Sequence, residues 1–286
     1  MKSGIVALIG RPNTGKSTLL NNLLGQKVSI TSPKPQTTHF PIQAVYQDRR
    51  GQIIFVDTPG MIGKVEDALS RSVNKQTGDV LSQPVNLILY LIDTTRPRDI
   101  EENKTLGVVR KADVPVMLVI NKADITRHNF SSEYAFYEDE FPEVIQVSAL
   151  THLNLNKLLD AIFSRLPEGE KLVDTTKLVQ PGLNLDSKLF ISEIIREKVF
   201  LFMQEEVPYT VNTTVEQIEE RQNGILYIKG KVTTTADRYK SMLIGPGGWK
   251  IREIGMAVRK ELEVASGKQV FVDLSVEVDP HWQETL

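Results

Sequence analysis

The chain has 286 residues, 41% of them hydrophobic and 24% charged, with no cysteine and a formal net charge of −2. This is the composition of a soluble globular protein long enough for two domains, and its near-neutral charge excludes a molecule drawn as a whole onto nucleic acid or anionic lipid. The absence of cysteine excludes disulfides, thiolate catalysis and cysteine-ligated metals, and it suits a reducing compartment such as the cytoplasm. The N-terminal MKSGIVALIG holds an apolar run of only about five residues, too short for a signal peptide or a transmembrane segment.

From residue 1 to 166, apolar runs alternate with helical patterns: IVALI at 5–9, IIFVD at 53–57, LILYLID at 87–93, VMLVINKAD at 116–124 and VIQVSA at 144–149. Continuous runs of Val, Ile and Leu are expected of strands buried on both faces of a largely parallel sheet. The first run leads into GRPNTGKS, residues 10–17, followed by the helical STLLNNLL. A G-x-x-x-x-G-K-[ST] motif between a strand and a helix is a P-loop. Its backbone N–H groups turn inward around phosphate at a helix N-terminus. Lys16 is expected to neutralise the β- and γ-phosphate oxygens and Ser17 to ligate Mg²⁺. Gly10, Asn13, Thr14, Gly15 and Thr18 complete the expected nucleotide contacts of this segment.

The polar stretch VSITSPKPQTTHF, residues 28–40, contains Thr37 and Thr38. A threonine hydroxyl here completes the Mg²⁺ shell only while γ-phosphate is bound, which would make the segment a switch, and Thr38 is the favoured ligand. DTPG, residues 57–60, closes the second apolar run. Asp57 is placed to hold Mg²⁺ through water, and the Gly60 N–H to report the γ-phosphate. The next residue, Met61, stands where a water-positioning glutamine is found in many nucleotide hydrolases, and its thioether is at best a weak acceptor.

NKAD, residues 121–124, ends the fourth run and decides the base. The carboxylate of Asp124 only accepts hydrogen bonds. It matches the N1–H and amine of guanine, whereas adenine offers an acceptor at N1, so GTP and GDP are expected rather than adenine nucleotides. Asn121 is expected to brace the loop, the Lys122 stem to lie over the ring, and Ser148-Ala149 to offer a backbone N–H to the guanine oxygen.

The segment PEGEKLVDTTKLVQPGLN, residues 167–184, follows neither period and reads as a linker. From 185 to 286 the pattern becomes helix, strand, an Asn223-Gly224 hairpin turn, strand, short helix, the loop Gly245-Pro246-Gly247-Gly248, long helix and strand. A GXXG loop between two helices in this α-β-β-α-α-β order is how a KH domain clamps single-stranded RNA. Lys240, Ile244, Lys250, Ile251 and Arg252 join the loop as expected RNA contacts. Between Arg238 and Lys260 stand six basic residues against Glu253 alone, a local patch that the global charge conceals. Pro246 brings neither charge nor an N–H donor to the loop, which is expected to weaken RNA binding.

Taken together, GRPNTGKSTLLNNLLGQKVSITSPKPQTT, DTPGM, NKAD and SAL, followed by SEIIREKVF, EEVPY, LIGPGGWKIREIG and AVRKELE, resemble the Era-type GTPases over essentially the whole chain. The resemblance implies a Ras-like P-loop domain followed by a type II KH domain, and slow GTP hydrolysis stimulated by RNA. It also implies binding to the 3′ end of small-subunit ribosomal RNA in small-subunit maturation, and partial association with the inner membrane face. Relatives with a hydrophobic residue at the position of Met61 turn it away from the nucleotide and still hydrolyse. Catalysis then falls to Lys16, Thr38, Gly60 and Asn13, whose amide oxygen could ligate a K⁺ at the place an arginine finger takes elsewhere. A nucleotide-gated RNA scaffold without turnover remains the competing reading.

Overall fold

The computed structural model describes residues 1–29, 42–60, 75, 79–80, 84–127, 130–174 and 187–284. Thr37, Thr38 (the favoured switch ligand) and Met61 lie outside these residues. The chain divides into two compact units, Met1–Asn184 and Leu185–Leu286.

In the first unit the apolar runs form strands because each is covered on both faces. β1 (Lys2–Ile9) lies beside β3 (Gly51–Asp57) and β4 (Leu87–Asp93), followed by β5 (Val116–Asn121) and β6 (Val144–Gln146), all parallel. Every residue of β3 and β4 is buried, which explains why their sequences do not alternate. Helices α1 (Lys16–Leu24), α2 (Ile100–Val109), α3 (Ser131–Glu140) and α4 (Leu155–Arg165) connect or flank them.

Two features depart from the sequence reading. β2 (Ile42–Gln47) pairs antiparallel with β3 at the sheet edge. In IQAVYQ, Gln43 and Gln47 leave only three apolar or aromatic residues in a row, shorter than the runs that mark the central strands. Residues 167–173, read as linker, are hydrogen-bonded to the first unit. The Ser3 N–H donates to Pro167 O at 3.0 Å and the Gly169 N–H to Met1 O at 2.8 Å. Buried Gln52 accepts from the N–H groups of Leu172 and Val173 at 2.8 and 2.9 Å. The cause is register: β1 meets β4 only from Val6 onward, so one side of its first residues is open, and buried backbone groups must find partners.

The second unit runs α5 (Ser187–Phe202), a 3₁₀ turn (Val207–Thr210), β7 (Val211–Glu220), β8 (Leu226–Thr234), α6 (Asp237–Ile244), a 3₁₀ turn (Pro246–Gly248), α7 (Trp249–Ser266) and β9 (Val270–Val278). β7 and β8 form the antiparallel hairpin expected at Asn223-Gly224, and β9 joins β8 in parallel. Along β8, Ile228, Gly230, Val232 and Thr234 are buried while the residues between them are not. This alternation marks a sheet with one covered face, which α5 and α7 supply. The order is that of a type II KH module.

Candidate functional site

The phosphate loop forms where β1 ends. Asn13 and Gly15 both take left-handed backbone angles, φ 64° and 95°, and such reversals gather successive N–H groups into an anion-binding concavity. Gly15 caps α1 without a side-chain hydrogen bond, so the first N–H groups of the helix, with Lys16, Ser17 and Thr18 in its first turn, remain directed to a ligand. A Cβ at Gly15 would stand 2.3 Å from the Asn121 amide nitrogen, and one at Gly60 would stand 2.6 Å from the Pro12 nitrogen. Glycine therefore lets the DTPG loop and the NKAD strand close on the P-loop.

Buried Lys16 donates to the carbonyls of Gly10 and Arg11 at 2.8 and 3.2 Å. Burial pulls its ammonium down to about 8, with nearby Asp57 acting in the opposite direction. Asp57 is fully buried at the end of β3. Its Oδ2 accepts from the hydroxyls of Ser17 at 2.7 Å and Ser29 at 2.8 Å, while its Oδ1 has no hydrogen-bond partner. Burial raises this carboxyl, against the pull of Lys16 and the two hydroxyls. An unsatisfied buried carboxylate oxygen beside a serine hydroxyl fits a hard divalent cation that takes only oxygen ligands. Ser17 and Asp57 would hold Mg²⁺, which supplies charge neutralisation at the phosphates when bound.

Asn121 joins three segments. Its amide nitrogen donates to Thr14 O at 2.8 Å and its oxygen accepts the Ala149 N–H at 2.9 Å. Lys122 follows with φ 63°, and exposed Asp124 lies just beyond it, with buried Ser148 and Ala149 close in the fold. The expected base-reading residues thus converge on the carboxyl ends of β5 and β6, next to the phosphate loop. Thr38 alone among the expected nucleotide ligands is outside the described residues.

Sequence reasoning missed the wiring behind this pocket. The Lys122 ammonium donates to Asp93 Oδ2 at 2.6 Å, and Arg96 pairs with the same oxygen at 3.3 Å while donating to Pro12 O at 2.8 Å. Burial pushes the Asp93 carboxyl up, but hydrogen bonds from Lys122 and Thr95 leave it below its ordinary range. The guanidinium of buried Arg11 donates to Pro97 O, Asp99 and Tyr134 at 2.9, 2.8 and 3.0 Å. Residues 93–99 therefore tie Lys122 to the backbone of the phosphate loop. The charge-rich DTTRPRD after a buried strand was the available signal. Asp93→Ala is expected to weaken GTP and GDP binding equally, by roughly tenfold, since one charge-assisted hydrogen bond is worth about 1.5–3 kcal/mol. Calorimetric titration with both nucleotides checks this, and a selective loss of GTP alone would contradict it.

In the second unit Gly245, Pro246, Gly247 and Gly248 join α6 to α7, and the three glycines have positive φ. A groove of about 390 Å³ runs beside the loop, between Gly248, Ile251, Arg252 and Gly255 on one side and Phe271–Leu274 of β9 on the other. Of the expected RNA contacts, Gly248, Ile251 and Arg252 line this groove. Gly245, Pro246, Gly247 and Lys250 are in or beside the loop, and Lys240 and Ile244 are on α6. The basic patch is weaker than its sequence count, because Lys250 pairs with Glu253 at 2.8 Å and Arg259 with Glu263 at 2.9 Å.

The family model described as 50S ribosome-binding GTPase matches residues 5–122, and a KH-domain model matches residues 206–283. GTPase Era of Geotalea daltonii is 40% identical, aligned over 99% of this chain and 94% of its own length. GTPase Era of Halothermothrix orenii is 36% identical over 99% and 95%. A crystal structure of an Aquifex aeolicus Era variant bound to GDP and AlF₄⁻ superposes with a TM-score of 0.90 at 36% identity, covering 99% of this chain and 96% of that one. A structure of Era in complex with MgGDPNP and nucleotides 1506–1542 of 16S ribosomal RNA also gives 0.90 at 36% identity, covering 99% and 95%. With a P-loop, an NKAD strand end braced against it and a KH module in one chain, matched from end to end by these relatives, the protein belongs to the Era family of GTPases.

Proposed function

We propose that this GTPase binds the 3′ end of small-subunit ribosomal RNA through residues 185–286 and acts in assembly of the small ribosomal subunit. The observation that carries this reading is the combination of the braced Asn121–Asp124 pocket with a GXXG loop and groove in a relative of an Era protein bound to that RNA segment. In the nucleotide site, Lys16 holds the β- and γ-phosphates, Ser17 and Asp57 orient the oxygens of the metal shell, and Asp124 selects guanine. The Gly60 N–H, on a loop packed against Pro12, meets the γ-phosphate and transmits its presence to the adjoining switch.

Met61 supplies no good acceptor, so backbone groups of the switches place the attacking water and added positive charge stabilises the transition state. Asn13 would ligate a K⁺, which would supply that charge when bound. The GTP-bound protein is the RNA-competent state, and bound RNA accelerates a slow intrinsic hydrolysis. Ribosome assembly places the protein in the cytoplasm, and the family resemblance extends this to peripheral association with the inner membrane face. Among the described residues no helix is long and apolar enough to cross a membrane.

Multiple-turnover phosphate release in K⁺ and in Na⁺, each with and without an oligonucleotide of the rRNA 3′ end, tests the reading. Faster release in K⁺, and faster still with RNA, is expected. Equal rates in both salts would remove Asn13 from catalysis. A protein that neither binds the oligonucleotide nor responds to it would overturn the RNA assignment.

A further inference from the structure

We infer that Trp249 is a base-stacking platform at the rim of the groove, supplying by ring contact what the uncharged Pro246 does not supply by charge. The inference rests on the RNA reading above and assigns a role to a side chain which that reading leaves unused. Trp249 is the first residue of α7, immediately after the GXXG loop, and 54% of it is exposed. A tryptophan so placed adds little to the core of its own unit. The Lys250 ammonium sits 4.4 Å from the centre of its ring. This contact favours one orientation of the indole.

Periodicity places the platform relative to the groove. Ile251, Arg252, Gly255, Met256 and Arg259 share one face of α7 and, with Gly248 just before it, line the groove. At about 100° per residue, Trp249 lies just beyond Met256 on the edge of that face, with Arg252 further in. Met256 is 58% exposed, and Val272 and Leu274 of β9 line the opposite wall. The groove therefore carries apolar side chains on both walls, with exposed Arg252 beside them on the helix. Apolar surface interleaved with cations matches a chain whose subunits each present a flat π-face and a phosphate. Single-stranded RNA has that chemistry.

A stacked base adds affinity without releasing counterions, whereas a phosphate contact adds both affinity and salt dependence. The two can be separated by experiment. In the full-length protein, Trp249→Ala is expected to weaken binding of single-stranded RNA about tenfold at every salt concentration, with the slope of log affinity against log salt unchanged. Trp249→Phe is expected to retain most of the affinity, because a ring remains. An oligonucleotide of the rRNA 3′ end and an unrelated one of equal length should lose affinity by the same factor, since stacking is tolerant of sequence.

Fluorescence gives an independent readout. The chain has two tryptophans, and Trp282 is buried with its indole N–H donating to Thr210 O at 2.9 Å. The emission accessible to iodide is thus that of Trp249, and saturating RNA should shield and quench it. Retained affinity in Trp249→Ala within twofold of the parent, or emission unmoved by RNA, overturns the platform. So does a loss of affinity accompanied by a lowered melting temperature, which marks a structural role. A parent protein that binds no RNA at any salt instead defeats the RNA reading itself, a distinguishable result.

Discussion

Asp124→Asn is expected to lower affinity for GTP by a factor of about 10⁴ and to raise affinity for xanthosine triphosphate, because site polarity matched to one base leaves buried polar groups unpaired with another. A carboxylate presents two accepting oxygens to the N1–H and exocyclic amine of guanine. Asparagine presents one acceptor and one donor, and the xanthine ring offers the complement: an N1–H beside a carbonyl oxygen where guanine has its amine. The side chain is exposed after β5, so the substitution leaves the core intact and the melting temperature near that of the parent. Competition binding with GTP, ATP and xanthosine triphosphate on parent and variant checks this. Unchanged preference for GTP in the variant would mean that another group reads the base, and tight ATP binding by the parent would dismantle the assignment of the pocket.

Lys16→Ala is expected to reduce GTP and GDP affinity roughly 10²- to 10³-fold, the equivalent of losing two hydrogen bonds to charged groups. The same substitution should stabilise the nucleotide-free protein near pH 7. Burial holds Lys16 at about 8, below its ordinary 10.5. A folded-state value below the unfolded one means that the unfolded chain binds more protons between these limits. Stability therefore rises as pH climbs from about 8 to 10.5, and below 8 the buried charge opposes folding at full strength. Phosphate oxygens favour the ammonium form, so above pH 8 nucleotide binding takes up a proton and affinity falls by up to about tenfold per pH unit. Calorimetry in buffers of different ionisation enthalpy reads that uptake, which should vanish in Lys16→Ala. Proton uptake that persists in the variant would assign the linkage to another group.

The two effects have opposite signs because one residue serves opposing demands. Lys16 is held by the carbonyls of Gly10 and Arg11, a costly place for a cation in the isolated protein and a favourable one beside a polyphosphate. Functional sites commonly hold such locally unfavourable arrangements.

What the sequence determined by itself was everything encoded in local runs. Buried parallel strands appear as unbroken Val, Ile and Leu because both faces are covered. The P-loop, DTPG and NKAD announce themselves because phosphate and guanine recognition need particular residues at fixed spacing on strand ends. Asn223-Gly224 marks its hairpin by the positive φ that glycine accepts, seen at 75°. Tertiary structure decided what depends on partners distant in the chain. The β2 strand owes its place to the edge of β3, and residues 167–173 bind because the register of β1 and β4 leaves backbone groups open. Asp93 becomes a hub only once Lys122 and Arg96 are folded around it, and Lys250 and Arg259 lose free charge to glutamates one helical turn away. Trp249 gains its meaning from a groove wall, β9, that begins some twenty residues later. Composition and spacing report which groups a chain owns. Only packing sets the distances between them, and electrostatic and stacking energies depend on those distances.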